Sequence, residues 1–344
     1  MSSDWTTPGA FEVSPGVHRI PLPMPNEGLR AVNVYALTDP GEPDAGCVLI
    51  DSGWAIEESR VALESALLTI GQDLGTVRRF LVTHSHRDHY TLGIAVRRTL
   101  GTKVAIGLDE EPNITGSINS GSSSQAALVL PEWGAAALAE EWLRAYPPAA
   151  REAQAAAFEP PDEWIKPDAT IAVGTRDLIA IPTPGHTRGH LVFLDRAAGV
   201  LFSGDHVLPN ITPSIGFEAA RPPDPLGDFL RSLELLLKYP DVRMLPAHGG
   251  PADSVHGRIA ELIAHHEARL DRTQEAVLAG AGTPFEVARQ LGWTRHNRIF
   301  DDLDVFNRVL ATGETAAHLV VLAERGRIRR NIDGAGVQTY EPVG

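Results

Sequence analysis

The stretch Phe80-Leu-Val-Thr-His-Ser-His-Arg-Asp-His-Tyr90 decides the reading of this chain, because a strand-like run leads straight into imidazoles at 84, 86 and 89 and a carboxylate at 88. Histidine and aspartate are the neutral and anionic ligands that zinc, iron and manganese accept without thiolate. Alternate residues of an extended turn project one way, so His84 and His86 can share one ion while Asp88 and His89 curl toward a second. So local a cluster cannot close two coordination shells. Three distant residues supply what is missing: His186 in Thr183-Pro-Gly-His-Thr-Arg-Gly-His190, Asp205 in Ser203-Gly-Asp-His206, and His248 in Leu245-Pro-Ala-His-Gly-Gly250. Each follows a strand-like run and has glycine or proline beside it, which lets backbone approach a site closely. Seven ligand-type side chains in this order would hold two ions side by side. Two dications acidify a shared water and grip the oxygen it attacks, which is the equipment of metal-assisted hydrolysis.

Outward from this stretch, short apolar runs bounded by turn residues predict strands at Val17-His-Arg-Ile-Pro-Leu, Val32-Asn-Val-Tyr-Ala-Leu, Cys47-Val-Leu-Ile, Phe80-Leu-Val and Lys103-Val-Ala-Ile. Helical spacing over 58–71 and 92–100 separates them, so the alternation predicts a layered α/β domain. Residues 109–168 break the rhythm: a Ser/Gly/Asn-rich part at 115–124 precedes Ala-rich helical sequence with Trp133, Trp142 and, later, Trp164. They read as an insertion, either a surface flap packed by its own tryptophans or a wall over the metal site. Strand signals return at Thr170-Ile-Ala-Val, Leu178-Ile-Ala-Ile, Leu191-Val-Phe-Leu and Val200-Leu-Phe. The proline-rich loop 206–225 is read as shaping a substrate pocket. Past His248 the pattern is mostly helical, over 257–278, 284–291 and 301–323, and Arg325-Gly-Arg-Ile-Arg-Arg can form a hairpin wing. The division expected is 1–260 for a catalytic domain and 261–344 for a small helical or winged-helix domain.

Composition excludes several classes. At 344 residues with 43% hydrophobic and 22% charged positions the chain can bury a full core. No stretch approaches the roughly 18–20 apolar residues needed to cross a bilayer. The net charge of -14 disfavours nucleic acid and anionic membrane alike. Cys47, the single cysteine, lies in an apolar run and reads as a core residue. The opening Met-Ser-Ser-Asp-Trp-Thr-Thr-Pro has neither a basic nor an apolar leader region, so a cytoplasmic location is the expectation.

The segments Asp51-Ser-Gly, His84 to His89, His186, Asp205 and His248 are similar, in order, to the motifs of the metallo-β-lactamase superfamily, and they span roughly residues 15–255. The resemblance implies a four-layered αβ/βα sandwich. It implies one ion held by His84, His86 and His186, a second by Asp88, His89 and His248, Asp205 bridging both, and Asp51 supporting the ligands from behind. His190 and His206 are further candidates for that supporting role, and Asp88 and Asp205 for direct catalytic parts. Ser85 stands where the diiron flavoprotein branch places a glutamate, which weakens a redox reading. Asp205 aligns the chain with the glyoxalase II side rather than with the antibiotic-degrading enzymes, which lack a carboxylate there. Two dications against two aspartates and a hydroxide leave about one positive charge, suited to a developing oxyanion.

The carboxy-terminal part resembles the winged-helix-like domain of the subgroup typified by β-lactamase-like protein 2, on Thr283-Pro-Phe-Glu-Val-Ala-Arg-Gln-Leu and Ala317-His-Leu-Val-Val-Leu. Because relatives with this extension include a ribonuclease, Arg295, Arg298, Arg325, Arg327, Arg329 and Arg330 are candidate phosphate contacts. Residues 261–344 nevertheless carry 10 arginines and no lysine against 12 acids. Packing, dimerisation or one wall of the cleft is therefore the preferred role. The expectation is a hydrolase with two zinc ions, iron or manganese being alternatives, whose metal-bridging hydroxide attacks an acyl ester or thioester. A phosphodiesterase or endoribonuclease on the same ions is the rival. Tyr90 could donate to a substrate oxygen or simply pack, and His265 and His266 are expected to face solvent.

Overall fold

The computed structural model describes residues 4–25, 28–39, 46–120, 122–294 and 297–343. Arg295 and the first three residues of the amino-terminal stretch, on which expectations above depend, lie outside them.

Two sheets face each other. The first has strands in sequence order: β1 (Phe11–Ser14), β2 (Val17–Pro23), β3 (Ala31–Thr38), β4 (Cys47–Ile50), β5 (Val77–Val82), β6 (Lys103–Gly107) and β7 (Glu163–Ile165). Pairing is antiparallel from β1 to β4 and parallel from β4 to β7. The parallel part needs crossovers, and α1 (Glu57–Thr69) and α2 (Arg87–Leu100) supply the first two. The second sheet holds β8 (Thr170–Val173), β9 (Arg176–Pro182), β10 (Leu191–Asp195), β11 (Val200–Gly204) and β12 (Arg243–Pro246), in the order β12-β11-β10-β9-β8.

The period of two along a strand sorts side chains between layers. In β3, Tyr35 and Leu37 join Leu81, Phe193 and Phe202 between the sheets, while Val32 and Val34 join Leu63, Leu67, Leu92 and Ile94 under α1 and α2. Covered on both faces, β4 reads as four consecutive buried residues. Cys47 is among them, its thiol pushed up to about 12 by burial and then by Asp73, so it is a core residue.

The outer face of the second sheet packs on α7 (Pro225–Leu236), α8 (Val255–Leu278) and α10 (Val305–Glu324), which completes a helix–sheet–sheet–helix stack. The same apolar cluster takes in Leu130, Trp133, Leu138 and Trp142 from the segment between β6 and β7. That segment is helical: α3 (Glu111–Ser120), α4 (Ser122–Val129), α5 (Ala136–Ala145) and α6 (Pro148–Ala155). Its Ser/Gly/Asn-rich part is helix too over 115–120 and 122–124, and Trp164 belongs to an edge strand rather than to a helix. α8 runs through the expected junction near 260. A capping box of Thr283 and Glu286 starts α9 (Pro284–Gln290). Beyond α10, β13 (Ile328–Ile332) and β14 (Gln338–Pro342) form the expected hairpin.

One expectation is corrected here. His265 is exposed, but His266 is fully buried, with Nδ1 3.2 Å from His318 Nε2 of α10. Neighbouring residues on a helix point about 100° apart, so one helix can turn His265 to solvent and His266 into the core. No helix among the described residues is long and apolar enough to cross a membrane.

Candidate metal centre

The turns that leave β5, β9, β11 and β12 converge at one end of the stack, and each delivers part of one cluster. His86 is the N-cap of α2, so Asp88 and His89 fall on its first turn. His186, Asp205 and His248 follow β9, β11 and β12. Two of these turns demand glycine. Gly185 sits at φ +138°, where a Cβ would lie 2.4 Å from Phe229 Cα, and Gly204 at φ +51°, where a Cβ would lie 2.6 Å from His190 Nε2.

Ligand atoms gather in three groups, His84/His86/His186, His84/His89/Asp205 and Asp88/His89/His248, with at most 4.8 Å between atoms of a group. In the first, His186 Nε2 lies 2.9 Å from His86 Nδ1 and 3.2 Å from His84 Nε2. Tetrahedral zinc with bonds near 2.05 Å would set nitrogens about 3.3 Å apart. In the last, His248 Nε2 is 3.4 Å and His89 Nε2 3.6 Å from Asp88 Oδ2. Asp205 stands between the halves, with Oδ2 3.5 Å from His186 Nε2, and Oδ1 3.4 Å from His248 Nε2 and 3.6 Å from His89 Nε2.

The outward ring nitrogens are anchored, which assigns their protons and leaves the inward lone pairs exposed to the cluster. His186 Nδ1 donates to Ser214 O at 2.7 Å, His248 Nδ1 to Ala31 O at 2.7 Å and His86 Nε2 to Phe217 O at 3.1 Å. Asp51 anchors two more. It accepts from His89 Nδ1 at 2.9 Å and from Thr83 N and Oγ1 at 2.7 and 2.9 Å, and Thr83 Oγ1 lies 3.1 Å from His84 Nδ1. His190 Nε2 accepts from Asp205 N at 3.2 Å, and its Nδ1 meets Thr183 Oγ1 at 2.9 Å. His206 is buried against Phe229 with neither ring nitrogen hydrogen-bonded.

Charge is as unevenly distributed. Burial, and then the neighbouring imidazoles, push His84 well below its ordinary value, and burial takes His186 down to about 3. Burial opposes ionisation of Asp88 and Asp205, but His89 and His248 hold both carboxyls below the usual range. Against burial, Asp51 first and then Asp88 and Asp205 push His89 up to about 9, and Asp205 with Asp88 pushes His248 well above its ordinary value. A buried set of carboxylates therefore calls for positive charge at its centre. His89 Nε2, His248 Nε2 and Asp205 Oδ1 are buried with no hydrogen-bond partner, an expensive state that a cation would relieve. Nitrogen and carboxylate donors without thiolate fit a divalent metal.

Three residues were not legible from spacing. Glu110, fully buried, accepts from Ser85 Oγ at 2.6 Å, from Asn113 Nδ2 at 2.9 Å and from Thr187 Oγ1, bracing both ligand turns from behind. It looks like an ordinary acid at a helix start. Glu218 accepts from Asn113 Nδ2 at 2.7 Å and Arg188 N at 2.9 Å. Arg221 lines a cavity of about 240 Å³ that opens beside His86. The insertion (Asn113, Val129, Trp133), the 206–225 loop (Ile215, Phe217) and α10 (Val309) all contribute to its wall. Tyr90 is resolved as a packing residue, donating to Glu159 O at 2.7 Å and stacking on Phe158.

A sequence profile described as the metallo-beta-lactamase superfamily matches residues 28–248. The probable metallo-hydrolase YqjP of Bacillus subtilis is 26% identical over 80% of this chain and 83% of its own length. The lactamase-like protein nscB of Aspergillus fumigatus is 33% identical over 38% of this chain, a stretch that spans only 42% of that relative. Among solved structures, a beta-lactamase domain protein from Burkholderia ambifaria is 28% identical with a TM-score of 0.77, covering 97% of this chain and 93% of its own. A metallo-beta-lactamase family protein from Thermus thermophilus is 27% identical with a TM-score of 0.73, covering 96% of this chain and all of its own.

Proposed function

The chain belongs to the metallo-β-lactamase superfamily, and from that premise we propose a two-zinc hydrolase that cleaves an acyl ester or thioester of a small substrate. The observation that carries this reading is the convergence of inward-aimed imidazoles and unpartnered carboxylate oxygen at the mouth of a mainly apolar cavity. His84, His86 and His186 would hold one cation, Asp88, His89 and His248 the other, and Asp205 would offer one oxygen to each. Two divalent cations bound there would supply Lewis acidity and a water of lowered pKa. The remaining work falls to the chain's own groups. Asp51, Ser214 O and Ala31 O fix ring orientation, so little reorganisation accompanies reaction. The Asp88 carboxylate, kept ionised by His89 and His248, can accept a hydrogen bond from the attacking water and orient it, the water's proton ending on the departing alkoxide or thiolate. The cavity wall excludes water from the acyl group.

Asp205 between the two halves supports placement on the glyoxalase II side. The helices and hairpin after 260 support a winged-helix-like appendage that serves as cleft wall. The rival phosphodiesterase reading draws less support, because four of the six candidate arginines are already engaged. Arg325 pairs with Glu267, Arg327 with Asp271 and Arg329 with Glu341, and Arg298 donates to Asp302 O. Chelation should abolish turnover of aryl thioesters and added zinc should restore it. Full thioesterase activity in metal-free protein would reject the reading.

A further inference from the structure

The cavity beside His86 contains one unmatched charge. Its wall is mainly apolar, with Val129, Trp133, Ile215, Phe217, Val309 and Leu310. Arg221 is the single arginine or lysine among the lining residues. Its guanidinium carbon lies 4.5 Å from the centroid of the Trp133 ring, and a Cβ on Gly216 would come within 3.1 Å of its Nε. The head group is thus clamped between an indole face and bare backbone. Among the described residues Arg221 makes no salt bridge and no hydrogen bond.

The acid in its own loop does not neutralise it. Glu218 Oε2 is engaged by Asn113 and the Arg188 amide. Burial, with Glu110 close by, pushes the Glu218 carboxyl up to about 8, so it is protonated at neutral pH. Burial lowers Arg221 only to about 10, so it stays cationic. A cation–π contact offsets part of the cost of desolvating a guanidinium and leaves its hydrogen-bond donors available to a ligand in the cavity. A carboxylate meets the guanidinium fork with two parallel hydrogen bonds. The lining holds one arginine and no lysine, and Arg330 and Glu132 act on that arginine from outside the lining with opposite signs, so the cavity matches one negative charge rather than a phosphate dianion.

We propose that Arg221 is a specificity-determining residue, and that the natural substrate carries a carboxylate that pairs with it while the scissile acyl group lies at His86. This rests on the hydrolase reading and narrows its substrate to an ester or thioester with a carboxylate several bonds from the reacting carbonyl.

The test uses the full metal-loaded chain and two esters of the same shape, 4-nitrophenyl hydrogen adipate and the 4-nitrophenyl ester of adipamic acid, in which a neutral amide replaces the carboxylate. A charge-assisted pair is worth about 1.5–3 kcal/mol, so the acid should be preferred at least about tenfold in kcat/KM, mostly through KM. Arg221→Gln should collapse that preference to about one, and Arg221→Lys should keep part of it. Equal kcat/KM for both esters in the unmodified protein overturns the proposal whether or not the variants fold. A preference that survives in folded Arg221→Gln overturns it as well. If neither these esters nor aryl thioesters are hydrolysed, the hydrolase reading itself falls.

Discussion

Asp51 holds φ at +60°, in the left-handed region that a residue with a Cβ enters at roughly 1–2 kcal/mol. From there its carboxylate receives His89 directly and His84 through Thr83, so one aspartate orients a ligand in each half of the cluster. Asp51→Asn keeps the shape but sets an amide N–H against donors that need an acceptor. Zinc affinity measured against a competing chelator should fall about 10–100-fold, and unchanged affinity would contradict the role. The candidate ligands stand out in the sequence because three histidines and an aspartate crowd one turn and each of the others closely follows a strand-like run. Glu110, Glu218 and Arg221 could not, because acids and arginines are common at surfaces and nothing in their spacing marks them as buried. His266 misled for the opposite reason, since its neighbour His265 really is exposed.

Among the elements, the ligand-bearing turns matter more than the strands that hold them. After β9, the second sheet turns out through Pro184 and Gly185 before presenting His186, and Ser232 of α7 donates to Pro184 O at 2.8 Å. Gly185→Ala combines a disfavoured φ with a clash against Phe229. It should destabilise the metal-loaded protein by about 2–4 kcal/mol, read as a fall in Tm, and should weaken zinc binding together with it. An unchanged Tm would mean that α7 yields easily and that the turn is not rigid. The loop 206–225 serves two ends: the Ser214 and Phe217 carbonyls orient His186 and His86, while the Ile215, Phe217 and Arg221 side chains line the cavity. Its proline content marked it as a loop, but an irregular backbone has no period from which to read which face each side chain takes. The edge strands β1 and β7 escaped the sequence for a related reason, being four and three residues long with little alternation.

Over the whole molecule, three apolar clusters account for the layers: one under α1 and α2, one between the sheets, and one that joins the second sheet to the insertion and the carboxy-terminal helices. The first was legible as strand and helix periods in residues 17–106, and the second only by adding the strand signals between 170 and 202. The third draws Trp133, Trp142, Phe229, Phe300 and Leu319 from segments far apart in sequence, and only long-range packing brings them together. That packing gives the metal cluster its cavity, since one wall comes from the insertion and another from α10. The central claim is that seven side chains from four turns hold two neighbouring cations. Elemental analysis of chelator-stripped protein reloaded with zinc and desalted tests it most directly. About two zinc ions per chain are predicted, with loss of at least one in His86→Ala. Retention of none or one in the unmodified protein, with ester hydrolysis undiminished, would contradict the account.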